Sequence, residues 1–506
     1  MNKRGGLVLR GSLLNAVLLF SNIAVSLYMM PFVVHALGDR WYGMWTLVAT
    51  FMGYYGYLDF GLSVATQRFI AGAIGKQDHE EVSRLLTTAL GIFAVLAAIT
   101  LVVTLVVVWS APYFFTDVAE IWTFRVVFTI LGLSVAINFP VAAFNGLLTG
   151  NLRYDVATYI ELGKLTIRTG LILYFIGAGY SIIALALIVL CVDVGGNVLK
   201  LGVMRRMFNQ VGIRRLYFTR ERLPELFNYG AKTFVNQLAN LLQLKMDAPI
   251  IAAFINLSTV TLFNVGGQLV YYFRNLVINL TGVMVPVFAQ FHATQNKKAI
   301  RHAYFFTSKL CTALSLLVGG AIIAFGKDFI NLWMGSAYVQ AYAVLLVLMI
   351  PTILYVSQQP ALAVIYGLGE MGVLANASIL VALVNIVMCI GLAGPLGMVG
   401  VALGIGIPMI FFSMFLIAFT VRLVQATVTD YLREVMGVFL VGGVMQYLSW
   451  YIVASLHIAS YGDLIVSFLA IYPVQIVAIL FLTFSTSEIQ QIKETSLHAL
   501  GFGGKA

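Results

Sequence analysis

The chain has 506 residues, 61% of them hydrophobic and only 10% charged, with 46 glycines and a formal net charge of +10. A soluble domain carries about 25% charged residues, so this composition excludes a water-soluble fold and points to a polytopic, all-α membrane protein. The positive balance is no sign of nucleic acid, because the placement of the basic residues follows membrane topology.

Apolar blocks of about 20 residues, enough to cross a hydrocarbon core, recur in about fourteen places, centred near residues 22, 51, 97, 133, 167, 190, 242, 273, 312, 351, 383, 409, 443 and 473. The first follows Lys3, Arg4 and Arg10 in the manner of a signal sequence. No small-residue cleavage site follows it, so it is expected to stay as the first span. With loops assigned alternately, twenty-two Lys and Arg fall at the N-terminus, in even-numbered connections or in the tail, and only Arg40, Arg125 and Lys327 on the other side. The positive-inside rule then places both termini in the cytoplasm and requires an even number of spans. The connections are short, and the longest, around residues 207–224, is a basic linker with no room for a catalytic domain. Cys191, Cys311 and Cys389 sit in apolar segments without metal-ligand spacing, which predicts small buried hydrophobes and no metal site. Walker and nucleophile-elbow sequences are absent; the chain is expected to be no enzyme, to hold no cofactor and not to drive transport by ATP.

A repeat of about 220 residues organises the chain. Gly11 matches Gly230, Ala71 matches Ala289, and Pro140 with Ala143 matches Pro360 with Ala363. HEEVSRLLTTAL and KKAIRHAYFFTSKL read as matching amphipathic elements at the cytoplasmic surface, and the turns FIGAGYSIIALAL and GLAGPLGMVGVAL also correspond. Six spans per copy keep the copies in one orientation, which predicts two six-helix bundles, 1–210 and 225–424, related by an axis along the membrane normal. Two further spans, 425–484, have no partner in the repeat and are expected at the periphery. Residues 485–506 read as a cytoplasmic tail, a short surface helix with a frayed end.

Charged and amide side chains inside the spans are the candidates for function, because they are costly in hydrocarbon and turn to a bundle interior or a wet path. Asp59, beside Phe60 and Gly61, is a candidate for ion coupling; the alternative is a local helix break. In the fifth span Glu161, Lys164 and Arg168 share one face at offsets of three and four. One carboxylate cannot neutralise two cations, which leaves Arg168 for an anion such as phosphate, unless the group is a purely structural pair or snorkels to the interface. Asp193, next to Gly195 and Gly196, is expected to bond only local backbone. In the seventh span Lys232, Asn236, Asn240, Gln243 and Asp247 line one face at about 100° per residue, with Lys245 opposite. Lys232 also reads as a snorkelling end residue, and Asp247 as a second ion-coupling candidate. The eighth span repeats the stripe with Asn264, Gln268, Tyr271, Asn275 and Asn279, and Arg274 lies at its edge, in mid-span. Two wet faces in consecutive spans predict one shared cavity, with Arg274 its strongest anion site.

The run SNIAVSLYMMPFVVHALGDRWYGMWTLVATF, followed by LDFGLSVATQRFIAGAIGK, resembles the opening of the polysaccharide-transporter family of oligosaccharide flippases, part of the multidrug/oligosaccharidyl-lipid/polysaccharide exporter superfamily. The resemblance is clearest over residues 7–85, and the repeat supports it to about residue 424. It implies a V-shaped pair of bundles that opens alternately to cytoplasm and exterior. It also implies a bacterial cytoplasmic membrane location and a cargo of oligosaccharide on a polyprenyl diphosphate, handed to polysaccharide polymerase and assembly proteins. Coupling to H⁺ or Na⁺ belongs to the same expectation, through Asp59, Asp247 or Glu161. The first, second, seventh and eighth spans would line the cavity. The intramembrane bases are nearly matched by Asp59, Glu161, Asp193 and Asp247, a departure from a strongly cationic vault. The rival readings are an organic-cation antiporter of the same superfamily, which favours an acidic aromatic pocket, a peptidoglycan-precursor flippase, and a membrane polymerase or ligase, which needs a large exterior loop.

Overall fold

In the computed structural model the described residues are 3–113, 115–151, 153–208, 211–212, 217–219, 224, 246–281 and 284–490, with backbone alone for 3–13 and 280. They fall into two compact units, Met1–Thr261 and Leu262–Ala506. Every regular element among them is helical. The first unit contains α1 (Lys3–Leu37), α2 (Asp39–Tyr55), α3 (Leu62–Gly75), α4 (His79–Trp109), α5 (Val118–Ala142), α6 (Asn145–Gly150), α7 (Tyr154–Gly177), α8 (Ile182–Met207) and α9 (Asp247–Phe254). Then come α10 (Leu257–Thr281), which runs from the first unit into the second, α11 (Met284–Ala293), α12 (Lys297–Met334), α13 (Ala341–Val356), α14 (Gln359–Leu368), α15 (Met371–Leu423), α16 (Val428–Ser455) and α17 (Tyr461–Thr483). Among the described residues 9 helices are long and apolar enough to cross a membrane, or 10 if the pair α13 and α14, bent by 42°, is one span. Each apolar block of the sequence is found on these helices except the one centred near residue 242, which lies outside the described residues.

α15 holds two of the expected spans. Its 53 residues, if straight, would measure about 80 Å, far beyond a hydrocarbon core of about 30 Å. Gly397 reverses the chain at φ 57 and ψ −140, a conformation that a side chain resists. The two arms then press together: a Cβ at Gly404 would lie 2.6 Å from the Cys389 nitrogen, and the Cys389 thiol donates to the Val401 carbonyl at 3.4 Å. Residues fifteen positions apart meet only in a hairpin, which is the turn the sequence matched to its first-half counterpart.

Both units build the same pair of half-helices. In the first, α2 ends in a 3-10 turn at Gly56–Asp59 before α3 begins, and α3 packs on α6, where a Cβ at Gly150 would lie 3.0 Å from the Ala71 Cα. In the second, α11 packs on α14, and a Cβ at Gly367 would lie 3.0 Å from the Ala289 nitrogen. Ala71 and Ala289 are the positions the repeat aligns. Pro140 stands near the end of α5, and Pro360 in the first turn of α14, where its missing N–H costs no helix bond. The two amphipathic segments HEEVSRLLTTAL and KKAIRHAYFFTSKL are not separate surface elements. Each is the opening of a long span: Gln77 at φ 58 and Gln295 at φ 56 turn the chain, and then Asp78 caps α4 at the Glu81 N–H and Asn296 caps α12 at the Ala299 N–H. Neither segment contains a residue that would stop the helix before the apolar run.

The second unit continues through α16. A Cβ at Gly320 of α12 would meet the Gln446 amide, and one at Gly442 of α16 would lie 2.7 Å from Leu316, so α16 lies in close contact along α12. α17 is joined to α16 by amides: Gln446 donates to Gln475 at 2.8 Å, and Tyr472 donates back to Gln446 at 2.9 Å. Lys309 of α12, which alternate loop assignment places at the cytoplasmic surface, is buried. Its ammonium lies 2.9 Å from both oxygens of Glu488 and 5.3 Å from the centroid of the Phe484 ring, pinning the start of the tail, where residues 486–490 are helical.

Gly404→Val is expected to lower stability by about 3 kcal/mol through overpacking of the α15 hairpin, while Gly391→Val, with open space above its Cα, leaves the melting temperature of the purified protein close to wild type. Burial acts to raise the Glu488 pKa, but hydrogen bonds from Ser485 and Lys309 outweigh it and hold the carboxyl below the usual glutamate range. A depressed folded-state pKa contributes stability above the unfolded value and loses it as pH falls through the folded one. Protection against hydrogen exchange in residues 485–490, taken relative to the intrinsic rate at each pH, should therefore be high at pH 7 and lost near pH 3, and Glu488→Gln should make it low at both.

Candidate functional site

α10 has two chemically distinct faces. Phe263, Leu269, Val270, Phe273 and Val277 are buried, and its backbone touches α13 at Gly266, where a Cβ would lie 2.4 Å from the Ala341 carbonyl oxygen. Asn264, Gln268 and Asn275 are half-buried, and Tyr271 and Asn279 exposed, so the stripe expected from the sequence does turn away from that core. Arg274 is half-buried beside it. Its guanidinium carbon stands 5.4 Å from the centroid of the Tyr355 ring, which is itself stacked at 6.2 Å on Phe412 of α15. Among the described residues no carboxylate pairs with Arg274. An aromatic face steadies a guanidinium without using its N–H groups, so the planar fork stays available to an anion.

In the first unit α7 and α8 bring a second charged group together. Lys164 lies 3.2 Å from Glu161, as the helical spacing predicts, and 3.1 Å from Asp193 of α8. Arg168 lies 2.9 Å from the same Asp193 oxygen, and Ser134 of α5 donates to the other at 3.2 Å. Further along α8, Asn197 donates to Asn138 of α5 at 2.6 Å and Lys200 donates to Asn145. Asp193 thus supplies the second carboxylate that the fifth span lacks; it does not stop at local backbone. Gly196 is the reason it is reached, since a Cβ there would lie 2.6 Å from the Lys164 Cδ. Gly196 is a slot for a long side chain crossing between helices.

Asp59 is buried, and its Oδ1 accepts the Gly61 N–H at 2.8 Å. Phe60 at φ 50 and Gly61 at φ 73 are both left-handed, so the carboxylate closes the turn that interrupts the second span. Asp247 stands in the first turn of α9. The Sδ of the preceding Met246 lies 3.6 Å from the Tyr54 hydroxyl of α2. Lys232, Asn236, Asn240, Gln243 and Lys245 lie outside the described residues.

A family described as polysaccharide biosynthesis protein matches residues 23–343. The chain belongs to this family. The matched stretch holds Asp59, the charged group on α7 and α8, and Arg274. The uncharacterized membrane protein EpsK of Bacillus subtilis (strain 168) is 21% identical over 398 residues, covering 77% of this chain and 78% of that protein. Lipid II flippase MurJ, solved in an inward closed conformation, superposes with a TM-score of 0.71 at 14% identity, over 92% of this chain and 98% of its own. An inward-facing MATE family multidrug resistance transporter of the MOP superfamily gives 0.68 at 18% identity, over 79% and 94%. At such identities the likeness is one of fold: this member of the polysaccharide biosynthesis family is a multi-pass membrane protein folded like those two proteins.

Tyr355 was not legible as a partner of Arg274, for aromatic residues in an apolar span carry no spacing that marks a cation nearby. For Asp193 a signal existed, since a carboxylate beside two glycines in one span faces an excess cation in the preceding one. Asp59→Asn keeps an acceptor for the Gly61 N–H and should leave thermal stability within about 0.5 kcal/mol of wild type, whereas Asp59→Ala should cost about 1–2 kcal/mol. The purified variants' denaturation curves measure both.

Proposed function

We propose that this chain is a flippase that moves a polyprenyl-diphosphate-linked oligosaccharide from the cytoplasmic to the outer leaflet by alternating access, for cell-surface polysaccharide assembly. Family membership supports the process, and the observation that carries the reading is Arg274, braced on Tyr355 with its donors unclaimed by any described carboxylate. A diphosphate suits that fork, and the amides and tyrosine along α10 suit sugar hydroxyls, while the lipid tail remains in hydrocarbon. Lys232, Asn236, Asn240 and Gln243 extend the same proposal on the seventh span. The bacterial cytoplasmic membrane, with both termini inside, is the location that the basic loops support. Coupling to H⁺ or Na⁺ at Asp247 or Glu161 belongs to this reading, as does delivery to a polymerase; the turn-closing bond of Asp59 weakens its case as a coupling site. An organic-cation antiporter is disfavoured by the same observation, because a bare guanidinium repels such a cargo.

In proteoliposomes loaded with a labelled polyprenyl-diphosphate oligosaccharide, wild type should flip the lipid, and Arg274→Ala should slow flipping about tenfold or more, the equivalent of one lost charge-assisted hydrogen bond. Arg274→Lys should fall between them. Unimpaired flipping in a folded Arg274→Ala protein, or export of an organic cation in place of the lipid, overturns the reading.

A further inference from the structure

Resting on the flippase reading, we propose that Asp193 stands in for the cargo's phosphate: in the empty protein it occupies Lys164 and Arg168, and an arriving diphosphate displaces it. The geometry motivates this directly. One oxygen of Asp193 receives both cations, Lys164 at 3.1 Å and Arg168 at 2.9 Å, a convergence of donors that a phosphate oxygen also accepts. The carboxylate is imperfectly matched to them. Arg168 reaches it through Nη2 alone, and its Nε is buried with no hydrogen-bond partner among the described residues. A carboxylate facing Arg168 alone would take both arms of the fork; Asp193 is shared with Lys164 and leaves one arm idle. A phosphate group, with a tetrahedron of oxygens, has enough acceptors for Lys164 and both arms of Arg168 together.

Room and charge agree with the exchange. Lys164 borders a cavity of about 400 Å³ between α7 and α8, and open space lies over the Cα atoms of Gly163 and Gly195 on its wall. Glu161, Lys164, Arg168 and Asp193 sum to zero charge. Lys200 adds one positive charge, and its bond is to the neutral Asn145 amide. With Asp193 in place the group is nearly neutral, as an unloaded site in a bilayer must be. With Asp193 turned aside, three cations face one carboxylate, which is a receptor for a polyanionic headgroup. Closure of Asp193 onto the cations would then expel the cargo, so the same carboxylate sets both neutrality of the empty site and release from the filled one.

The test uses the purified full chain and farnesyl diphosphate as a short polyprenyl diphosphate, with farnesol and phosphatidylglycerol as separate arms. Asp193→Asn removes the competing charge but keeps an oxygen for Ser134. It is expected to bind farnesyl diphosphate about tenfold more tightly and to slow repeated flipping through delayed release, while Arg168→Gln weakens binding about tenfold in wild-type and Asp193→Asn backgrounds alike. Farnesol is expected not to bind, and phosphatidylglycerol not to displace the diphosphate. Equal or weaker binding by a folded Asp193→Asn protein overturns the proposal, as does unchanged binding by folded Arg168→Gln or displacement by phosphatidylglycerol. If the Asp193 variant does not fold, the Arg168 result decides. Loss of binding in Arg274→Ala alone, with the Asp193 and Arg168 variants unaltered, refutes this proposal and leaves the flippase reading standing. No binding by wild type refutes both.

Discussion

Hydrocarbon solvates neither a charge nor an unpaired backbone group, and most of this structure follows from that single constraint. Several described helix breaks are closed by a local device, among them Asp59 on the Gly61 amide and Asp78 and Asn296 on the first turns of α4 and α12. Among the intramembrane cations, Lys164 and Arg168 are drawn onto Asp193, and Arg274 onto an aromatic face. The difference between these solutions is functional. A carboxylate satisfies a cation by neutralising it, whereas a ring steadies it and leaves its charge to be used.

Glycine is the means by which the helices come near enough for such pairings. Gly196 admits the Lys164 stem, Gly266 brings α10 against α13, and Gly150 and Gly367 seat the short helices α6 and α14 on their neighbours. Where no hydrophobic effect separates protein from lipid, close van der Waals contact through small residues is the main attraction between helices. The many glycines of this chain are in that sense its adhesive, and one such contact recurs at Ala71 and again at Ala289.

The fold was legible because hydropathy and period respond to the bilayer alone. The apolar blocks gave the helices, and aligned prolines and alanines gave the repeat. Even the turn inside α15, which is continuous as a helix on either side, was marked by its Gly-Pro-Leu-Gly run. The polar stripe of α10 was legible for the same reason: its period is the helix's own. What escaped depended on approach between segments. Nothing in the local sequence of Asp193 states that two cations of α7 lie opposite, or in that of Tyr355 that Arg274 rests upon it. Lys309 escaped differently. Its place near the expected cytoplasmic end of a span suggested a wet surface, and only α12's unbroken length and the return of the tail show that it is inside.

That return carries a consequence for the order of biogenesis. The hydrogen-bonded partner of Lys309 lies 179 residues further along the chain, with only the exposed Glu434 carboxylate, 3.9 Å away, made before it, so at a synthesis rate of about 5–20 residues per second the ammonium waits about 10–35 s for its full pairing. During that interval α12 enters the bilayer with an incompletely neutralised charge near one end, and water or a lipid headgroup must attend it. The second unit thus cannot reach its final packing until Glu488 has been made, and that carboxylate serves as the clasp that closes it.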